Sequence, residues 1–194
     1  MNKLTAAQVK TAVIHNMMWC WHYIGAVTEY VHDCDILGIR QSMFTVEVEV
    51  KVAKYDLLNE IKDIRAALQE DELKPNLFNT RISHDNKIHN HNKFSKHRTY
   101  LNKVTTRYKP NEFYFCVPIE LRELALKEME NIPYYGLYIA HSVWNVEIAK
   151  RGKKLHETKF ENNEVLMHFF RKLSYEANGL REKLYYAENT NRMV

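Results

Sequence analysis

The sequence predicts an α/β fold, a mixed central sheet flanked by helices on both faces. Two observations carry this. The apolar period switches along the chain in the order helix, three strands, helix, strand, helix, strand, then helices. The first three strands are joined by short connections, as in a meander, whereas later strands are separated by helical segments. With 5 Gly and 4 Pro in 194 residues, long flexible linkers are not expected. The chain is therefore read as one domain over residues 1–194, carrying a basic, His/Asn-rich insertion at about 70–95.

The first helix is expected from Thr5 to about Met18. Thr5 and Gln8 have capping-box spacing, and Val9, Ala12, Val13 and Met17 trace one apolar face. Trp19 to Tyr30 is rich in aromatic and β-branched residues and reads as a strand, with a bend at Gly25. Asp33–Ile39 and Phe44–Ala53 are the next two strands. Asp56–Leu68 follows as a helix with Leu57, Leu58, Ile61, Ile64 and Leu68 in a stripe. Glu70 to about Ser95 has no clear period, and Lys96–Thr105 suits a short helix. Asn111–Pro118 is a strand, Glu120–Glu130 a helix, and Tyr134–Ala140 and Val143–Lys150 are strands. Glu161 to about Ala177 is a helix, with Gly179 as a candidate C-cap.

Charge is unevenly placed. The whole chain carries +4, but 81–109 holds eight Lys/Arg against the single acid Asp85, and four histidines besides. A basic stretch of this kind suits a polyanion such as DNA, and it equally suits a solvated loop. The three cysteines, Cys20, Cys34 and Cys116, form neither a disulfide framework nor a CxxC zinc site. Cys34 and Cys116 read as small buried residues. No stretch has the length of a membrane span and none resembles a secretion signal, so the expectation is no membrane and a cytoplasmic location. Plentiful Asn, Lys and Tyr hint at an AT-rich, phage-type source.

The chemistry concentrates on the third strand. Val46, Val48, Val50 and Val52 fall on one side, and Thr45, Glu47, Glu49 and Lys51 on the other. Like charges side by side destabilise a strand unless a cation neutralises them. A divalent metal held by two carboxylates can activate water and stabilise a phosphate, and an adjacent lysine can orient the water or offset charge. Asp35, at the end of the neighbouring strand, is placed to converge with Glu49. The alternative reading is an exposed strand face with cross-strand ion pairs.

Asp35 followed by Glu49-Val50-Lys51 on the next strand resembles the PD-(D/E)XK nuclease superfamily. Asp35–Ile39, Val46–Leu58, Lys96–Tyr100, Asn111–Pro118 and Ile132–Ala140 resemble its MmcB-like DNA-repair branch. The resemblance implies a restriction-endonuclease-like core and metal-dependent hydrolysis of DNA phosphodiester bonds. It implies Asp35 and Glu49 as ligands of Mg²⁺ or Mn²⁺, Lys51 as the third catalytic group, and Glu47 as an extra acid. Lys54, Lys96 and Arg98 are candidate DNA contacts. The alternative is a catalytically inactive DNA-binding or regulatory module on the same fold, and the oligomeric state is open, a homodimer included. His89 and His91 lack further ligands at zinc spacing. Trp19, Trp21 and Tyr23 suit a core better than a base-stacking platform. Glu29, Asp33 and His141 lie near strand ends as lesser site candidates.

Overall fold

Thr5 opens the first helix, α1 (Ala6–His15), through the expected capping box. Gln8 N–H donates to Thr5 Oγ1 at 3.3 Å, and Thr5 N–H donates to Gln8 Oε1 at 2.9 Å. In this computed structural model residues 3–30, 34–73, 93–101, 109–159 and 163–190 are described. They form two compact units, Met1–Lys159 and Phe160–Val194, where the sequence reading took one. Most of the basic stretch, including His89 and His91, lies outside the described residues, as does Asp33.

The first unit is built on a six-stranded mixed sheet in sequence order. Its strands are β1 (Gly25–Tyr30), β2 (Cys34–Ile39), β3 (Thr45–Val50), β4 (Glu112–Pro118), β5 (Gly136–Ala140) and β6 (Val146–Lys150). β1, β2 and β3 are an antiparallel meander, β3, β4 and β5 run parallel, and β6 returns antiparallel. The two parallel joins are the ones bridged by helices: α2 (Lys54–Leu73) and α3 (Lys93–Leu101) before β4, and α4 (Arg122–Met129) before β5.

Each face of the sheet has its own core. Val46, Val48 and Val50 pack with Tyr114, Cys116, Tyr138 and Ala140 against Val9, Ala12 and Val13 of α1. Phe113, Phe115, Val117, Leu137 and Ile139 pack against Leu57, Ile61 and Ile64 of α2, Tyr100 of α3, and Ala125 and Met129 of α4. The close approach of β5 to Gly152 requires Gly136. A Cβ there would lie 2.7 Å from Gly152 N and closer still to the Tyr114 ring.

Several boundaries differ from the sequence reading. Trp19 is not in a strand. Asn16–Cys20 is a π-helical turn continuing α1, tied down because buried Asn16 Nδ2 donates to Ala12 O (2.8 Å) and Trp144 O (3.1 Å). Trp19 is exposed, Trp21 packs on Tyr138 with 4.8 Å between ring centroids, and only Tyr23 of the three is buried. Val52 lies beyond β3 and is exposed. The α4 segment begins with a 3-10 turn at Ile119–Leu121. In the second unit, α5 (Asn163–Thr190) runs through Gly179 rather than ending there. Cys34 and Cys116 are buried, as expected, and Cys20 is exposed.

Candidate functional site

Strict alternation puts Glu47 and Glu49 on the same face as Phe113 and Phe115, their register partners on β4. That face lies under α2 and α3, so the acids are not on an open surface: Glu47, Glu49 and Lys51 are 3–6 % exposed. Burial of charge is tolerable only with close partners, and these side chains have them. Lys51 Nζ lies 2.7 Å from Glu49 Oε1 and 2.7 Å from Glu60 Oε2 on α2. Lys96 Nζ lies 2.6 Å from Glu47 Oε1 and 3.2 Å from Glu49 Oε2. Glu47 Oε1 thus faces the Lys96 ammonium, and Glu47 Oε2 accepts a hydrogen bond from Tyr100 OH at 2.6 Å.

The chain of contacts continues through His97, which is fully buried. Its Nε2 is 3.0 Å from Glu60 Oε1 and its Nδ1 is 3.0 Å from Tyr135 OH. A carboxylate only accepts, so Nε2 carries the proton. Burial holds the Tyr135 phenol well above its usual pKa, so its hydroxyl donates to Nδ1. His97 is therefore a neutral bridge between α2 and β5's approach.

The ionisation states follow from these contacts. Burial works against the Lys51 and Lys96 ammoniums, but the facing Glu60 and Glu49, and Glu47 and Glu49, outweigh it and raise both. Burial likewise pushes Glu60 upward, yet the His97 hydrogen bond and the Lys51 charge hold it well below the usual carboxylate range. For Glu47 burial wins over Lys96 and its pKa is raised. For His97 burial wins over Glu60 and its pKa is lowered. Two ammoniums thus face three carboxylates in a dry layer between β3, α2 and α3.

Asp35 does not enter this layer. Its Oδ1 is 2.8 Å from Lys10 Nζ on α1, and its Oδ2 accepts the Val50 N–H at 2.7 Å. The expectation that Asp35 converges with Glu49 is corrected accordingly. Both lie at the same end of adjacent strands, but Asp35 turns toward the α1 face and Glu49 toward the α3 face. The strand path is irregular beside Asp35, where Glu29 on β1 has φ 49° and falls between the Thr28↔Ile36 and Tyr30↔Cys34 pairs.

A second correction concerns Lys96, which was expected to contact DNA. Its ammonium is buried against two glutamates because α3 places it over β3. Lys54 is exposed at the start of α2, Arg98 is half-buried, and His141 pairs with Glu147 at 3.0 Å near the β5–β6 turn. The sequence reading missed Lys10, Glu60, His97, Tyr100 and Tyr135. A signal for Glu60 was present: it sits among Leu57, Ile61 and Ile64 on the inward face of α2.

A divalent ion was tested against these donors. Carboxylates are the right chemistry for Mg²⁺, but their arrangement is not. Glu49 is engaged by two ammoniums and Asp35 by a third plus a backbone N–H. Among the described residues no three His, Cys, Asp or Glu side chains stand together to hold a metal. As they stand, the residues do not fit the ion.

No family model matches the chain, and no curated protein matches it. Among solved structures it is similar to the SPO1766 protein of unknown function from Silicibacter pomeroyi, with a TM-score of 0.54 and 16 % identity, covering 94 % of this chain and 95 % of that one. At that identity the likeness speaks to the fold alone. Among the described residues no helix is long and apolar enough to cross a membrane.

Proposed function

We propose that this chain is a deoxyribonuclease of the D…ExK type, held here in a closed arrangement. One observation carries the reading. Asp35 lies at the start of β2 with its carboxylate 2.7 Å from the N–H of Val50, the residue between Glu49 and Lys51 at the end of β3. The mixed α/β sheet flanked by helices gives further support, because the resemblance implies a restriction-endonuclease-like α/β core. In this reading Lys51 offsets phosphate charge, and Glu49, 2.7 Å from Lys51 Nζ, orients that ammonium. Lys10 and Lys96 occupy the oxygens that a divalent cation would need.

A second reading rests on the same ion pairs. With Glu49 and Lys51 neutralising each other in a buried layer, the chain would be a non-cleaving DNA-binding or regulatory module on the same fold.

One experiment separates the two. The purified protein is incubated with single-stranded, duplex and branched DNA in Mg²⁺ or Mn²⁺, beside Glu49→Gln and Lys51→Ala. The nuclease reading expects cleavage that both substitutions abolish and that chelation stops. DNA binding without cleavage under either ion, or cleavage that survives Lys51→Ala, refutes it.

A further inference from the structure

The α5 helix carries a heptad pattern. From Leu166 its apolar residues recur at alternating spacings of three and four. Leu166, Leu173 and Leu180 fall at one heptad position, d, and Phe170, Ala177 and Leu184 at the other, a. A 3.5-residue repeat sustained over more than two heptads is the pattern of a coiled-coil seam. Two residues of the seam are open to solvent: Phe170 is 53 % and Leu180 61 % exposed.

The flanking charges say what covers it. The g and e positions beside the seam are Glu176 and Arg181, then Lys183 and Glu188. When two identical helices lie parallel and in register, each g residue meets the e′ residue five places on. Glu176 then meets Arg181 of the partner subunit, and Lys183 meets Glu188 of the partner subunit, so both pairs attract. A membrane surface is the poorer occupant, since a helix lying on anionic lipid carries a basic fringe, and here both signs alternate.

We propose that α5 docks on α5 of a second copy of this chain as a parallel, in-register coiled coil, making the protein a homodimer. The dimer rests on α5 and not on the D…ExK reading, so either can fail without the other.

Sedimentation equilibrium of the full chain tests it. The expected mass is twice 23.2 kDa. Leu180→Asp removes a seam residue that is exposed in the single chain, and should weaken the dimer roughly a hundredfold while leaving the circular dichroism of the fold in place. Glu176→Lys should weaken it about tenfold, and Glu176→Lys with Arg181→Glu should restore it. In a Cys20→Ser background, Leu180→Cys should form an intermolecular disulfide under mild oxidation, which only a parallel in-register pair permits. A monomer at roughly 100 µM, a dimer unaffected by Leu180→Asp, no rescue by the charge swap, or a dimer that does not cross-link would each overturn the proposal.

Discussion

Replacing Lys96 by methionine removes a buried ammonium and leaves its hydrocarbon volume. Lys96 Nζ is 2.6 Å from Glu47 and 3.2 Å from Glu49. Glu49 retains Lys51, so Glu47 is the group stranded. Breaking a buried pair from one side costs about 3–5 kcal/mol, but the carboxyl has an escape, which is to take up a proton. Protonating a carboxyl of ordinary pKa 4.5 costs about 3.5 kcal/mol at pH 7, and about 1.4 kcal/mol at pH 5.5, at 1.4 kcal/mol for each pH unit. The loss on Lys96→Met is therefore capped near those values and shrinks as pH falls. Because burial already raises the Glu47 pKa in the intact protein, the expected loss at pH 7 is about 2–3 kcal/mol. Urea unfolding of both proteins at pH 7 and pH 5.5, with the change in midpoint multiplied by the slope, measures it. A loss under about 1 kcal/mol at pH 7 would mean that the pair behaves as an exposed one. A loss that does not change with pH would mean that Glu47 is not the stranded group.

Four further outcomes are expected. His97 has a lowered pKa in the fold, so the unfolded chain binds the proton first; stability should fall as pH drops below about 6.5, and His97→Gln should flatten that limb of the curve. The depressed Glu60 pKa extends the loss below about 4.5, and Glu60→Gln should remove that part, read by thermal unfolding across pH. Gly136→Ala would drive a methyl into the Tyr114 ring and Gly152 N, costing about 1–3 kcal/mol in chemical denaturation. Arg40 makes a bidentate pair with Glu112 at 2.7 and 2.8 Å; Arg40→Lys should cost about 1 kcal/mol despite keeping the charge, and an unchanged unfolding midpoint would contradict that.

Much of the scaffold was legible from the chain alone, because it rests on local periodicity. Thr5 and Gln8 announced the start of α1. The alternation from Thr45 to Val50 separated the two faces of β3, and the valines do pack on α1. The apolar runs at 112–118 and 136–140 marked the central strands. Local pattern failed at Trp19, where aromatic content suggested a strand but Asn16 bonds to distant Trp144 hold a π-helical turn. It failed at Gly179, where a helix breaker sits inside an exposed helix at a cost of only about 1 kcal/mol.

The charged residues show where sequence stops. Alternation put Glu47, Glu49 and Lys51 on one face, and that is where they lie. It could not say that α2 and α3 would cover this face, nor that the covering helices would bring Glu60 and Lys96 as partners of its charges, because those come from nine to forty-nine positions away. Nor could it orient Asp35, whose carboxylate answers to Lys10 on a different helix. A periodic pattern fixes which way a side chain leaves the backbone. Which charge it meets is decided by the packing of distant elements, since a buried carboxylate follows the nearest ammonium in space, whatever its place in the chain.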